Sequence, residues 1–429
     1  MSKVYADVVE IPEGITTLLG DGAALNSFRL RDYDAIGKLI IPSTLQLETV
    51  PQQVELLDMW FDTSHTEMYF SSYEMPGFMT AAPVECKSVE IEEIENHSPY
   101  ISIKDGVVYN SDKTRLIFCF KKKDTFVVPA SVRIIESQAF CNQTSLKSVT
   151  LPEDLEEIHS GAFIGCTSLK EINIPKGISR INSATFAGCI SLEYVSLPEG
   201  LIHLGNDAFW HCDSLEEIRL PDSIREMDSF RCCRSLKHVV IPKGVSEVKG
   251  FAFCASLRTV VLQEGVTKIA DYAFRFCDEL CKINFPEGLR EIGARAFYPS
   301  RLSSVVFPKS LEEIGSEAFY HNKALRRITF NSVVKIDQAS FACTPALKLV
   351  LKPKEMKIDD DVFAQDTALD KYGFQIRETG GYSMVNTISI DYPNVWIIEV
   401  ITTLSLSQLR LEIFRKELTI NASCDNVFL

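Results

Sequence analysis

Residues 162–181 read AFIGCTSLKEINIPKGISRI, and variants of this unit recur along most of the chain. Its phenylalanine returns every 21 to 23 residues, a period that is typical of solenoids built from stacked coils. The phenylalanines in this register are Phe140, Phe163, Phe186, Phe209, Phe230, Phe253, Phe274, Phe297, Phe319, Phe341 and Phe363. We expect them to form a ladder inside the stack.

The rest of the unit predicts the shape of one coil. A leucine follows most of the phenylalanines by six residues, and two repeats are shortened at this point, giving Leu257 and Leu302. The pattern then runs L-x-x-V/I-x-L/I/F-P, whose alternating apolar residues indicate a short strand. Proline ends the strand because it has no N–H group to donate, and a turn follows, as at residues 175–177.

A second apolar pair, such as Leu155 with Ile158, leads the chain back to the next phenylalanine and closes the coil. One coil alone has an apolar side with nothing to cover it, whereas a stack covers it with the coils above and below. We expect truncation of one ladder phenylalanine to cost roughly 3 to 5 kcal/mol.

Cysteine usage indicates packing rather than chemistry. Five of the 13 cysteines lie three residues after a phenylalanine, a place that suits a small buried side chain. They are Cys166, Cys189, Cys212, Cys233 and Cys277. The paired C-x-x-C spacing of structural zinc sites is absent, so we assign no metal and no cofactor, and a reducing compartment fits this usage.

The unit at residues 162–181 closely resembles the BspA-like leucine-rich repeat. Upstream, residues 89–118 resemble that family's non-repeat insert, which ends in a D-G-V-x-Y hairpin beginning at Asp105 and Gly106. The resemblance covers about residues 85–370. Weaker echoes occur in VEIPEGITTL from Val9 and KLIIPSTL from Lys38.

The resemblance implies a right-handed leucine-rich-repeat solenoid, mainly β with short helical or turn segments, and a parallel sheet on its concave face. We expect about 11 regular repeats of 21–23 residues, preceded by degenerate ones. We expect three parts: an N-terminal cap of degenerate repeats at 1–84, the solenoid at 85–370, and a C-terminal cap at 371–429.

Family members are known largely as surface or secreted proteins of anaerobic bacteria and some protists, and the best-studied kind bind host matrix proteins or other cells. The resemblance therefore implies a binding role, and an adhesin for a matrix protein or glycan is the alternative function. The opening segment does not read as a secretory signal, which favours the cytoplasm, with the cell surface as the alternative.

Charge and hydropathy disfavour two kinds of partner, nucleic acids and a spanned membrane. The formal net charge is −14, so a nucleic acid meets long-range repulsion. No stretch approaches the 18 or so uninterrupted apolar residues of a membrane span. We expect a protein partner, while the oligomeric state is left open.

The sequence carries no constellation typical of an enzyme. A phosphate-binding glycine loop, a nucleophile elbow and a histidine metal motif are all missing from it. We predict a protein without enzymatic activity, and a cryptic hydrolase in the irregular N-terminal segment is the remote alternative.

The candidate binding face follows from the strand positions that point away from the core. The first column, just before the last apolar strand residue, is Thr150, Asn173, Ser196, Arg219, Val240, Val261, Asn284, Val306 and Thr329. The second column, two residues earlier, is Ser148, Glu171, Tyr194, Glu217, His238, Thr259, Lys282, Ser304 and Arg327.

Within these columns we expect an apolar patch with a basic rim, the anatomy of a protein-binding surface. The patch residues are Tyr194, His238, Val240, Val261 and Val306, and the rim residues are Arg219, Lys282 and Arg327. The competing interpretation is that β-branched residues simply suit exposed strand positions. We predict an interaction scaffold that binds a partner on the concave face.

Overall fold

The computed structural model describes residues 5–11, 35–43, 90–363 and 375–379. They form a solenoid of about ten turns with parallel strands and almost no helix, which confirms the expected fold class. A 3-10 helix at Asp360–Val362 is the one helix among the described residues. The helical pieces that the sequence allowed for are turns instead.

The N-terminal strands form a three-stranded parallel sheet. These strands are β1 (Tyr5–Glu10), β2 (Ala35–Ile41) and β3 (Glu90–Asn96), with β2 in the middle. They bury Val9, Leu39 and Ile91 in a hydrophobic cluster separate from the main core. The two echoes expected near Val9 and Lys38 are therefore neighbouring parallel strands, as in the regular coils.

An antiparallel hairpin follows at the expected place. Its strands are β4 (Ile101–Lys104), β5 (Val107–Asn110) and β6 (Arg115–Cys119). Asp105 and Gly106 connect the first two strands with φ of 53° and 77°, and positive φ at both central residues is the requirement of a type I′ turn.

Most regular coils contribute one strand to a first sheet and one to a second; among the described residues, the coil that begins at Phe209 has no first-sheet strand and the one that begins at Phe341 has no second-sheet strand. The first-sheet strands are β7 (Thr125–Val127), β9 (Ser148–Thr150), β11 (Glu171–Asn173), β13 (Tyr194–Ser196), β16 (His238–Ile241), β18 (Thr259–Leu262), β20 (Lys282–Ile283), β22 (Ser304–Val306), β24 (Arg327–Thr329), β26 (Leu349–Pro353) and β27 (Gln375–Thr379). The second-sheet strands are β8 (Ile134–Ile135), β10 (Glu157–Ile158), β12 (Arg180–Ile181), β14 (His203–Leu204), β15 (Glu226–Met227), β17 (Glu247–Val248), β19 (Lys268–Ile269), β21 (Glu291–Ile292), β23 (Glu313–Ile314) and β25 (Lys335–Ile336).

The strand pairing is parallel between successive coils. In the first sheet it falls into three hydrogen-bonded sections, β7 to β13, β16 to β20 and β22 to β27. The hairpin joins the second sheet, because β6 pairs with β8. The hairpin therefore begins the stack of second-sheet strands.

The core is a ladder of stacked phenylalanine rings. From Phe140 to Phe341, successive ring centroids lie 4.9 to 5.5 Å apart, with interplanar angles of at most 16°. Every ring in this run is fully buried. We number the coils 1 to 10 by these phenylalanines, so that coil 1 starts at Phe140 and coil 10 at Phe341.

One predicted rung of the ladder is wrong. The ring in coil 6 is Phe251, which stacks on Phe230 and Phe274 at 5.5 Å, whereas Phe253 is 37% exposed. Leu257 therefore follows its ladder phenylalanine by the usual six residues, and this repeat is not shortened there. The error arose because both phenylalanines fit a spacing of 21 to 23 residues.

Candidate functional site

The outward face of the first sheet is the candidate binding site. In a strand, successive side chains point to opposite sides, and in most first-sheet strands a buried residue lies between two that face out. Strand β11 shows this, with Ile172 buried and Glu171 and Asn173 exposed. The two columns expected from the sequence are therefore on one face.

Val240 and Val261 form the apolar centre of this face. They are paired in register on β16 and β18 and are 36% and 37% exposed. On the same strands His238 is paired with Thr259 in the second column. These neighbouring positions on successive coils bring two of the expected patch residues together.

Val306 lies on the same face but is not continuous with this pair. Between its coil and that of Val261 is Asn284, whose amide donates to the carbonyl of Leu262 and accepts from the N–H of Leu262, both at 2.8 Å. Val306 itself is 55% exposed. The structure therefore places a polar side chain within the expected apolar patch.

The N-terminal end of the expected site is interrupted as well. The backbone at Arg219 is not in a strand, and Glu217 makes only an isolated bridge with His238. The guanidinium of Arg219 is 87% exposed and pairs with Glu199 at 3.0 Å. Tyr194, which is 57% exposed on β13, therefore belongs to a different section of the sheet from Val240.

Lys282 and Arg327 are exposed in the second column. Thr259 on β18 lies beside Lys282 on β20, and Ser304 on β22 lies beside Arg327 on β24. Neither cation makes an ion pair with a residue that the structure describes. Both side chains are thus available at the rim position that the sequence indicated.

The ladder cysteines are packing residues. Six cysteines lie three residues after a ladder phenylalanine. Each donates a hydrogen bond from Sγ to the carbonyl oxygen of the previous coil's ladder phenylalanine, at 3.0 to 3.4 Å. They are Cys166, Cys189, Cys212, Cys233, Cys254 and Cys277. Burial raises the pKa of the Cys166 thiol well above its ordinary value. No disulfide is formed among the described cysteines.

Cys254 was missing from the sequence prediction. It lies three residues after Phe251, so the misplaced rung concealed it. The same position holds Gln143 in coil 1 and Asn322 in coil 9, whose amide groups donate to backbone carbonyls at 2.9 and 2.8 Å. What these residues share is a side-chain hydrogen-bond donor, so the position does not require a cysteine.

A buried ion-pair network joins the hairpin to the first coils. Glu136 accepts hydrogen bonds from Arg115 and lies 3.0 Å from Nδ1 of His159, while Nε2 of His159 is 2.7 Å from Glu157. Burial alone raises the pKa of Glu136, but the bonds from His159 and Arg115 hold it below its ordinary value. The hydrogen bond to Glu136 raises the pKa of His159.

Among the described residues, this network comes nearest to a catalytic constellation. Both ring nitrogens of His159 already face carboxylates, which suits an ion pair better than a general base. No group of histidine, cysteine and acidic side chains among the described residues is arranged to hold a metal ion. Nor does any described helix have the length and apolar character needed to cross a membrane.

A family profile for the BspA-type leucine-rich repeat region matches the chain in six copies. The matches lie at residues 114–229, 157–256 and 249–370, and together they span more than half of the chain. No curated protein matches the sequence.

Several solved structures are similar. A leucine-rich repeat protein from Bacteroides ovatus is 27% identical with a TM-score of 0.52, and the match covers 58% of this chain and 68% of that one. A leucine-rich repeat protein of T. pallidum is 24% identical, with a TM-score of 0.34 and coverage of 54% and 90%. A leucine-rich cell surface protein from Faecalibacterium prausnitzii is 19% identical, with a TM-score of 0.31 and coverage of 66% and 96%.

These comparisons bear on two expectations. The family and the fold are as the sequence indicated. The expected cytoplasmic placement and its alternative at the cell surface both remain predictions.

Proposed function

Because this chain belongs to the BspA-type leucine-rich repeat family, we propose that it is an interaction scaffold that binds a protein partner on the outward face of its first sheet. The observation that carries the proposal is the register of Val240 and Val261, two exposed valines on adjacent strands. Exposed apolar pairs within a polar face gain free energy when a partner covers them.

Rigidity of the face supports the same function. The valine pair projects from strands whose own backbones are hydrogen-bonded to neighbouring coils and whose inward residues, such as Val239 and Val260, are buried. A surface that does not have to be ordered on binding loses little conformational entropy. The proposal includes no catalytic step, and the absence of enzymatic activity remains a prediction.

The test is a pull-down from native lysate with a matched pair of variants. In Val240→Asp with Val261→Asp, the apolar pair becomes acidic. In the control, Ile202→Asp, the same chemical change is made at an apolar residue that is 52% exposed beside the second sheet. We expect a partner that the wild type and the control retain and that the double variant loses.

A photo-crosslinking residue at position 261 then identifies the contact directly. The partner recovered in the pull-down is expected to crosslink at 261 and not at 202. A partner that both variants retain, and that crosslinks equally from both positions, overturns the proposal. Protease shaving of intact cells separates the cytoplasmic placement from the surface alternative.

A further inference from the structure

The candidate face carries a stripe of positive charge in its C-terminal half. We define the basic stripe as the cations at the first two positions after the repeat leucine in coils 5 to 10. They are Lys237, Arg258, Lys282, Arg326, Arg327 and Lys348. All six are exposed.

Backbone hydrogen bonds align these positions from coil to coil. The N–H of Arg258 donates to the carbonyl of Lys237 at 2.9 Å, and the N–H of Lys348 donates to that of Arg326 at 2.9 Å. Lys282 donates in the same way to Arg258 at 3.1 Å. The cations of coils 5 to 7 are thus aligned, as are those of coils 9 and 10, and Ser303 and Ser304 of coil 8 separate the two groups.

Acidic residues are absent from the same two positions in coils 5 to 10, which hold only basic, histidine, hydroxyl, cysteine and leucine side chains. In coils 2 to 4 the balance is acidic, with Glu171, Glu193, Glu216 and Glu217 at these positions against one cation, Lys170. In a chain whose formal net charge is −14, the stripe is a local exception. The sign of the face therefore changes along the axis.

Two of the stripe cations have internal partners. Lys237 pairs with Glu216 at 2.6 Å, and Arg258 lies 3.9 Å from Glu279. The other four, in coils 7, 9 and 10, have no ion pair with any residue in the described ranges. An anion supplied from outside therefore meets four cations that have no described ion-pair partner, and its interaction with them is favourable.

Three exposed valines lie beside the stripe, with Asn284 between Val261 and Val306. Val240, Val261 and Val306 occupy the first column in coils 5, 6 and 8, next to the stripe positions. Valine methyl groups gain no free energy from contact with a sugar sulfate or a nucleic-acid phosphate, but they do gain it when apolar side chains cover them. The combination of the two rows favours a protein ligand over a polysaccharide.

From these observations we infer that the face binds an extended acidic protein segment whose side chains alternate between acidic and apolar. With about 4.8 Å between coils, the stripe is about 24 Å long, which about eight extended residues cover at roughly 3.3 Å each. An extended segment lying flat along the axis directs alternate side chains to opposite sides, acidic ones to the stripe and apolar ones to the valines. The inference rests on the proposed function and names the class of its partner.

The experiment measures binding of a fluorescein-labelled peptide of 12 residues, alternating glutamate and valine, to the full chain by fluorescence anisotropy. The stripe variant is Lys282→Glu with Arg327→Glu. The control variant is Lys176→Glu with Arg180→Glu, two exposed cations outside the stripe with the same change of charge. We expect the stripe variant to bind at least about tenfold more weakly and the control to bind as the wild type does.

Two further probes decide the class of ligand. A peptide with lysine in place of glutamate is expected not to bind, and a heparin oligosaccharide is expected to bind more weakly than the acidic peptide. Equal binding of the peptide to the stripe and control variants overturns the inference. The inference is also overturned if heparin binds more tightly than the acidic peptide and if Val240→Asp with Val261→Asp leaves heparin binding unchanged. That result assigns the stripe to a polysaccharide.

The outcome is separable from that of the proposed function. Suppose that a native partner is lost on Val240→Asp with Val261→Asp but kept by the stripe variant. That result supports the scaffold function and overturns the inference that the partner is an acidic segment. A partner that both variants retain overturns both the scaffold function and the acidic-segment inference. Far-ultraviolet circular dichroism of each variant confirms that the solenoid is intact.

Discussion

Phe251 and Phe253 are two positions apart and have opposite roles. Phe251 is buried in the ladder, whereas Phe253 lies outside it at φ of 64° and stacks on Phe276 at 5.0 Å. The equivalent turn position is Gly165 in coil 2 and Gly188 in coil 3, also with positive φ. A left-handed backbone costs a bulky side chain about 1 to 2 kcal/mol, which the stacking of these two rings helps to offset.

We predict that the two phenylalanines differ sharply on substitution. Phe251→Ala leaves a cavity between two stacked rings and is expected to lower the free energy of unfolding by about 3 to 5 kcal/mol. Phe253→Gly loses one ring contact but relieves the backbone, so we expect a change within about 1 kcal/mol. Urea unfolding followed by circular dichroism measures both, and equal losses would refute the assignment of the ladder.

The ladder cysteines are predicted to be inert in the folded protein. Burial raises the pKa of Cys212 and Cys233 well above the ordinary thiol value, and only the thiolate is alkylated. Cys281, which is exposed, serves as the internal control. Iodoacetamide labelling with peptide mass spectrometry is expected to modify Cys281 and to spare the ladder until the protein is unfolded, and rapid labelling of the ladder would contradict this.

At the scale of elements, the junction between the hairpin and the first coils depends on charge. Arg115 is on β6, Glu136 follows β8, and His159 follows β10, so the network connects three neighbouring strands of the second sheet. A buried carboxylate without these partners would be costly. The junction is therefore expected to respond to pH more than the apolar coils beyond it do.

The sign of that response follows from the two pKa directions. Because the pKa of His159 is raised, its contribution to stability is complete below its ordinary value of 6.5 and is lost as pH rises through the raised value. Because the pKa of Glu136 is lowered, its contribution is complete above 4.5 and is lost as pH falls through the lowered value. The junction is most stable between pH 4.5 and 6.5.

Hydrogen exchange of the amides in β8 and β10 tests this response. After correction for intrinsic exchange rates, we expect less protection at pH 8 than at pH 6 in the wild type. His159→Gln is expected to reduce protection at pH 6 and to remove the difference between the two pH values. Equal protection of the wild type at both values would contradict the role of the histidine.

At the scale of the molecule, stability accumulates between neighbouring coils. One continuous cluster of buried residues extends from Val107 to Phe363, and the N-terminal strands have a cluster of their own. In such a stack each coil is stabilised mainly by the coils next to it. A solenoid body at 85–370 with caps at 1–84 and 371–429 remains our prediction for the organisation of the chain.

Limited proteolysis tests this organisation. We predict that early cuts fall outside the continuous core and leave residues 125–336 in one resistant fragment, because the backbone there is hydrogen-bonded from coil to coil. Mass spectrometry identifies the ends of the fragment. Early cuts within coils 2 to 8, at rates similar to those in the predicted caps, would show that the solenoid is not one cooperative body.

The sequence was sufficient for the fold because the repeat is itself a physical requirement. An apolar residue that returns every 21 to 23 positions is buried only if the coils stack, so the period implies parallel strands and a ladder. The alternation within each strand likewise predicted which side chains face out, including Val240, Val261 and Arg327. The hairpin at Asp105 and Gly106 was expected from the family resemblance, and its turn has a backbone that few residue pairs tolerate.

Only the tertiary structure decided which phenylalanine fills coil 6, that the Asn284 amide bonds to the backbone of Leu262, and that the backbone at Arg219 leaves the sheet. It also decided which cations of the basic stripe meet a carboxylate. These features depend on contacts with the next coil, more than 20 residues away along the chain. A pattern within one repeat contains no information about them, because the neighbour that determines them is brought near only by stacking.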